Sequence, residues 1–406
     1  MTLGQGDVAR VFRAEYGRAV AVLVRLLGDI DLAEEAVQEA FEAAVRRWPE
    51  TGLPPSPAGW IVTTARHRAI DRHRRESTRD VRQAEAALLD GPGQHVPDER
   101  EEEGPVRDDR LRLIFTCCHP ALGTAAQVAL TLRLLGGLTT AEIARLFLVP
   151  EPTIAQRLVR AKNKIRKARI PYRVPQEADL PDRLRPVLAV LYLIFTEGHT
   201  ATAGDALVRA DLCAEAIRLG RQLAELMPDE PEVLGLLGLM LLVESRRAAR
   251  TAPDGSLVPL AEQDRRRWDA ELAEQGRDLV RRCLRRGRPG PYQLQAAIQA
   301  VHSEPPTDWH QVVALYDHLL ALTPTPVVAL NRAVAVAEVA GPEAGLALVE
   351  ALRDALGGHH LFHATRADLL RRLGRRTEAT AAYAEAADRT HNAVERDFLG
   401  RRRDAL

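Results

Sequence analysis

Lysine is almost missing from this sequence. Only Lys162, Lys164 and Lys167 occur among 56 basic residues, so arginine carries nearly all of the positive charge. Aromatic residues are scarce at 4%, and no convincing period-two run of β-branched residues is found, which argues against a sheet architecture. Abundant Ala, Leu, Arg and Glu favour helix instead, and the expected fold class is all-α. Four cysteines in 406 residues make no disulfide framework. No apolar run reaches the ~18 residues of a membrane span. The stretch MTLGQGDVARVF lacks the basic-then-apolar order of a secretory signal. The expectation is a reduced, soluble, cytoplasmic protein with no membrane contact. Enzyme signatures are missing too: no GxxxxGK(S/T), no GxGxxG after a strand, no HExxH and no GxSxG. No catalytic residue, cofactor or metal is expected.

The 56 basic and 56 acidic residues cancel, yet they are unevenly distributed along the chain. At ~100–200 residues per domain, this length allows two to four domains. In the first helix Val11, Ala14, Tyr16, Val20, Leu23, Val24 and Leu27 form an apolar stripe that Gly28 closes. Asp29 and Asp31 start a second helix, with Ala33, Ala36, Val37, Ala40, Phe41, Ala44 and Val45 facing inward. Glu34, Glu35, Gln38, Glu39 and Glu42 make an acidic outer stripe. PETGLPPSPAG at 49–59, with four prolines and two glycines, reads as a loop. The helix WIVTTARHRAIDRHRRE follows at 60–76, apolar on Trp60, Ile61, Thr64, Ala65 and Ala69 and basic on Arg66, Arg68, Arg72, Arg74 and Arg75. Residues 84–109 hold nine acids against two arginines and read as a flexible acidic linker.

Residues 138–167 read as helix–turn–helix. Ile143, Ala144 and Leu146 belong to its first helix, Val149 and Pro150 to the turn, and the second helix starts near Glu151–Pro152. No acid occurs between 152 and 169, and at 1.5 Å per residue this segment is ~25 Å long, enough to lie in a major groove. From about 180 onward the chain is a string of Ala/Leu-rich helices. LMPDEPEVLGLLGLMLL resembles LTPTPVVALNRAVAVAE, and shifts of about 34 residues from Leu322 reach Leu356 and then the ADRT at 387–390. That period is the mark of tetratricopeptide-like helical hairpins.

AEEAVQEAF at 33–41 and WIVTTARHRAIDRHRR at 60–75 resemble region 2 of extracytoplasmic-function RNA polymerase sigma factors, and LTTAEIARLFLVPEPTIAQRLVRAKNKIR at 138–166 resembles their region 4. FTCCHPAL, LYLIFTEGH and LVRADLCAEAIRLGR resemble the subgroup with a tetratricopeptide-like C-terminal extension. The resemblance implies region 2 at 1–83, the linker at 84–109, region 4 at 110–172 and a regulatory helical extension at 180–406. It implies core RNA polymerase as partner, through the β′ clamp helices and the β flap, and promoter DNA. Polymerase binding falls on Asp31, Glu34, Glu35, Gln38 and Glu39, suited by charge to an arginine-rich surface. Contacts to the −10 element fall on the loop with Ser56 and on Trp60, Arg66, His67, Arg72, Arg74 and Arg75, since a flipped base needs a pocket beside a basic wall. Contacts to the −35 element fall on Glu151, Thr153 and Gln156, near base edges, and on Arg157, Arg160, Lys162 and Lys164, placed for phosphates. The sequence departs from the family's habit at His67, often asparagine, at Leu148, usually glycine, and at Ala155, often basic. The extension is expected to bind a protein partner or the chain's own sigma core.

Two other readings stay open. A helix–turn–helix regulator with a repeat sensor needs no polymerase, but leaves 1–110 without a role. Zinc at Cys117, Cys118 and His119 meets the difficulty that adjacent cysteines do not easily point at one metal. Buried free thiols are expected there and at Cys213 and Cys283, and His359, His360 and His363 read as loop histidines.

Overall fold

A computed structural model describes residues 5–84, 105–147, 149–176, 179–201 and 203–406. Leu148 and most of the expected linker, residues 85–104, lie outside the described residues. The described chain is all-α apart from one pair of two-residue strands. It divides into two units, 1–190 and 191–406.

In the first unit, α1 (Gln5–Leu27) ends where Gly28 takes a φ of +69°. Asp29 then caps α2 (Ile30–Thr51), its carboxylate accepting from the Asp31 and Leu32 amides at 2.7 and 3.1 Å. The apolar stripes behave as expected at Tyr16, Val20, Leu23, Val24, Ala33, Val37 and Phe41, all buried. Val45 does not: it is 49% exposed, because the inward stripe has drifted to Ala44 and Trp48 by that turn. The proline-rich loop is also shorter than expected. Pro49 lies inside the last turn of α2, and Pro57 opens α3 (Pro57–Ala84). Pro57 stands in the first turn of α3, where its missing N–H would have had no intrahelical partner, whereas Pro49 forgoes one bond near the end of α2, which runs only two residues further.

The helix α4 (Pro105–Cys117) begins inside the segment expected to be linker. Asp109, counted among the linker acids, is fully buried and paired with Arg25 at 2.8 Å and Arg112 at 3.3 Å. The Tyr172 hydroxyl donates to the Ala21 carbonyl at 2.7 Å, with the Asp109 carbonyl 3.1 Å away, which ties residue 172 to α1 and α4. After α5 (Thr124–Leu130) the helix widens into a π turn at Thr131–Leu135, followed by α6 (Thr140–Leu146) and α7 (Glu151–Lys167). Gly17 of α1 lies against this turn so closely that a Cβ would stand 2.7 Å from the Leu135 carbonyl oxygen.

The boundary between the units falls inside α8 (Leu180–His199), after Val190, and not in the 173–179 connection. In the second unit, every residue of α10 (Pro231–Glu244) except Glu232 is buried. It is packed by α9 (Ala210–Leu226), α11 (Ala270–Leu284) and α12 (Pro291–Ser303). Next come α13 (Trp309–Leu322), α14 (Pro326–Ala340), α15 (Pro342–Glu350), α16 (Arg353–Leu356), α17 (His360–Arg372), α18 (Arg376–Arg389) and α19 (Ala393–Asp404). Starts of α14, α17 and α19 are 34 and 33 residues apart. Their common core contains Leu330, Ala333, Phe362, Leu370, Ala382 and Tyr383. The strands β1 (Ala203–Gly204) and β2 (His391–Asn392) pair in parallel. Buried Asn392 fastens this closure, donating from Nδ2 to the Ala201 and Ala206 carbonyls at 3.0 Å each.

The motif LYLIFTEGH acts here as a lock. Glu197 pairs with Arg209 at 3.4 Å, both side chains under 15% exposed. The Gly198 carbonyl accepts from the Arg209 amide at 2.7 Å, and a Cβ on Gly198 would meet the Cys213 amide nitrogen at 2.7 Å. Arg250 donates to the His199 carbonyl, approaches His199 Nδ1 at 3.1 Å and donates to Thr200 Oγ1 at 3.1 Å.

Burial, helped by the Arg250 and Arg246 charges, pushes the His199 imidazole down to about 2. In the unfolded chain it titrates near 6.5. Below that pH the unfolded state binds a proton that the folded state refuses, so stability falls as pH falls. The expected slope from this group is about 1.4 kcal/mol per pH unit below pH 6. Denaturant melts at pH 7, 6 and 5 should show a shallower pH dependence for His199→Gln than for wild type; parallel curves would contradict this assignment.

Candidate nucleic-acid interface

The helix–turn–helix is built by local rules. Thr139 and Glu142 form a reciprocal cap: Thr139 Oγ1 accepts from the Glu142 amide at 3.1 Å, and Glu142 Oε2 accepts from the Thr139 amide at 2.7 Å. Helix α7 buries Ile154, Leu158, Ala161 and Ile165, one residue per turn. The opposite face exposes Glu151, Thr153, Gln156, Arg160, Lys164, Arg166 and Lys167. Arg157 is half-buried and lines, with Gly123, Thr153, Gln156, Arg160 and Lys164, an open groove of about 310 Å³.

Lys162 departs from the expected phosphate-facing set. Following buried Ala161, it lies at the edge of the packed face and is only 16% exposed. Its ammonium donates to Asp31 Oδ1 and Glu34 Oε2, both at 2.7 Å. Burial lowers the affinity of Lys162 for its proton, but the Glu34 and Asp31 carboxylates outweigh that and raise its pKa. Arg133 completes the contact. It donates from Nε to Glu34 Oε1 and from a terminal nitrogen to the Leu138 carbonyl at 3.0 Å. Glu34, expected on a solvated acidic stripe, is therefore buried at 6% exposure.

The remaining expected docking residues are arranged differently. Asp31 keeps its side chain 55% exposed, Glu35 is exposed, and Gln38 and Glu39 are half-buried. Arg68 of α3 lies 3.9 Å from Glu39. On the −10 side, Ser56 Oγ accepts from the Gly59 amide at 3.3 Å and so caps α3. Trp60 is half-buried and meets Trp48 edge to face at 5.4 Å between ring centroids, with Ile61 and Ala65 buried beside it. Arg66 is half-buried and His67 exposed. The side chains of Arg72, Arg74 and Arg75 lie outside the described residues. Arg133 escaped sequence reading because it stands alone in the apolar run LTLRLLGG, where a single charge in a hydrophobic stretch was the available signal.

The candidate metal residues serve packing. Cys117 and Cys118 are buried; burial raises both thiols, Cys118 to about 12. Gln127 Nε2 donates to the Cys118, His119 and Leu122 carbonyls at 3.4, 3.0 and 3.2 Å, which fixes the FTCCHPAL turn. His360 and His363 are not loop residues but belong to α17. His363 is buried, its Nε2 2.7 Å from the Gly357 carbonyl, and His359 caps that helix. No helix among the described residues is long and apolar enough to cross a membrane.

Residues 11–79 match sigma-70 region 2, residues 112–165 match sigma-70 region 4, and residues 183–284 match a family of unknown function, DUF6596. Uncharacterized protein R00370 of Rhizobium meliloti (strain 1021) is 43% identical over 400 residues, covering 96% of this chain and 93% of that protein. Probable ECF RNA polymerase sigma factor SigI of Mycobacterium tuberculosis is 29% identical over 163 residues, 40% of this chain and 56% of SigI, so the match spans little more than half of that relative. ECF RNA polymerase sigma factor SigK of Mycolicibacterium vanbaalenii is 28% identical over 168 residues, 39% of this chain and 82% of SigK.

Removing Glu34 leaves two partly buried cations without their shared partner, whereas Asp31 is half in solvent. Glu34→Ala should cost the first unit about 3 kcal/mol, and Asp31→Ala no more than about 1 kcal/mol. Urea denaturation of the full chain measures both, and equal costs would show that Glu34 is not the centre of the contact.

Proposed function

Given that this chain belongs to the sigma-70 family, whose members act in transcription initiation without catalysing a reaction, we propose that it is an alternative sigma factor. It binds core RNA polymerase through α2, captures the melted −10 strand with the segment before Trp60 (51–59) and α3, and reads the −35 duplex with α7. One observation carries this reading. A recognition helix whose only acid is Glu151 in its first turn presents polar residues at its N-terminal end and cations further along. It follows, on the same chain, an acidic helix, a short proline-rich loop and an arginine-rich helix.

The roles divide by chemistry. Glu151, Thr153 and Gln156 meet base edges; Arg157, Arg160 and Lys164 meet phosphates, which add affinity but little sequence information. On the −10 side, Trp60 borders the pocket for the flipped base and Arg66, His67, Arg72, Arg74 and Arg75 supply its wall. Capture of the unpaired strand stabilises the open complex over the closed duplex. Asp31, Glu34, Glu35, Gln38 and Glu39 form the docking face for the β′ clamp helices, and region 4 adds a contact to the β flap. Since Lys162 and Arg133 hold Asp31 and Glu34 in the free chain, region 4 has to leave α2 before polymerase docks. The second unit, read as tetratricopeptide-like hairpins, modulates the sigma core through a protein partner or an intramolecular contact.

The full chain with purified core polymerase provides the test. Lys162→Met keeps the packed stem but removes the charge, and it should speed holoenzyme assembly. Loss of about 1 kcal/mol from the closed form corresponds to roughly fivefold. Equal rates would show that closure does not gate docking. Absence of any complex, with duplex binding intact, would favour the helix–turn–helix regulator.

Duplex binding separates anchoring from reading. Arg160→Ala or Lys164→Ala should weaken binding to every sequence and reduce the salt slope by about one. Gln156→Ala should shift the preferred −35 sequence instead. Identical behaviour of the two classes would overturn the division.

A further inference from the structure

The second unit contains a cationic cluster that no role above uses. It lies where the segment after α10 meets α12. Arg246 Nη2 donates to Gln299 Oε1 at 2.6 Å, and its guanidinium carbon is 5.6 Å from the Trp268 ring centroid. The guanidinium of Arg265 lies over the same indole at 4.8 Å, with Thr307 Oγ1 3.5 Å from it. Two guanidinium groups thus share one indole, and among the described residues neither has a carboxylate in an ion pair.

The nearby acids are committed elsewhere. Asp264 takes Arg266, Asp269 caps α11, Glu262 pairs with Arg402, and Glu304 lies 3.8 Å from Arg277. Glu244 pairs with Arg247 at 2.6 Å. Arg250, whose charge also bears on Arg246, is spent on His199 and Thr200.

A second observation is independent of the charges. The Trp268 Nε1 and His302 Nδ1 atoms are buried and have no hydrogen-bond partner. His302 is only 8% exposed; it follows Gln299 by three residues on one face of α12 and meets Trp309 edge to face at 5.2 Å. A buried N–H without an acceptor costs free energy that a folded protein seldom leaves unspent. Burial pushes the His302 imidazole down to about 4, with Arg246 and Arg265 adding to the effect. At neutral pH it is an uncharged ring that can present an N–H. Burial likewise lowers Arg246 to about 10, with the Arg250 and Arg265 charges next in weight. Arg246 links the two, facing the Trp268 ring and reaching, at Gln299, the helix that carries His302; excess positive charge and idle donors around it call for the same missing thing.

We propose that Arg246, Arg265, Trp268 and His302 form a binding site for a small oxyanion, a phosphate or carboxylate group. The two guanidinium groups neutralise its charge, and Trp268 Nε1 and His302 Nδ1 donate to its oxygens. The site gives the second unit a ligand of its own, and the assignment stands whether or not the first unit docks on polymerase.

The test is calorimetric titration of the full chain with inorganic phosphate and with citrate, against chloride at matched ionic strength. Saturable binding of either, with a rise in melting temperature that chloride does not reproduce, is the expected result. Phosphate alone, citrate alone, or both identifies the accepted class. Arg265→Gln changes an exposed side chain and should weaken binding about tenfold. Trp268→Phe keeps an aromatic face for the two guanidinium groups and removes the Nε1 donor, so it should weaken binding severalfold even if Arg265→Gln folds poorly. No saturable binding beyond chloride, or binding indifferent to both substitutions, would overturn the proposal.

Discussion

One buried carboxylate organises the first unit. Glu34 accepts from Arg133 and Lys162 at once, and burying an acid is tolerable only when opposite charges and hydrogen bonds replace the lost water. The contact requires three separately built elements to converge. Helix α2 must present Glu34 on the edge of its apolar stripe. The π turn after α5 must aim Arg133, and it does so against Gly17, where no side chain stands between the backbones. Helix α7 must pack far enough for Lys162 to reach across. Each element is stable for its own reasons, but their mutual placement is recorded in this one triad.

The same triad joins two halves that the proposed function uses separately. Acidic residues that would face polymerase and a cation that would face DNA satisfy each other in the free chain. In the free chain these side chains are engaged with one another. Opposite charges selected for two different outside partners are necessarily complementary to one another.

The second unit shows the opposite arrangement of charge. Its acids are largely consumed in local pairs along helix surfaces, such as Arg218 with Glu215 and Arg353 with Glu350. Arginines between α10 and α12 are left around an indole instead of a carboxylate. Structural order there comes from apolar burial along α10 and from the Asn392 closure, neither of which needs charge. The surplus of guanidinium groups is therefore not explained by the fold's own stability.

Much of this protein was determined by residue order alone. Apolar spacing, caps such as Asp29 and Thr139, and the proline at 150 are properties of neighbouring residues, so the all-α class, most of the first-unit helices and the helix–turn–helix could be read directly. The identity of α7 as a cation-rich helix with no acid after Glu151 was equally plain. Tertiary structure alone decided the rest. Whether Glu34 and Lys162 face solvent and whether Asp109 belongs to a linker or a core depend on partners 63 to 131 residues distant. A carboxylate looks the same in sequence whether water or an arginine will meet it, because local periodicity fixes which face of a helix a side chain occupies but not what will be brought against that face.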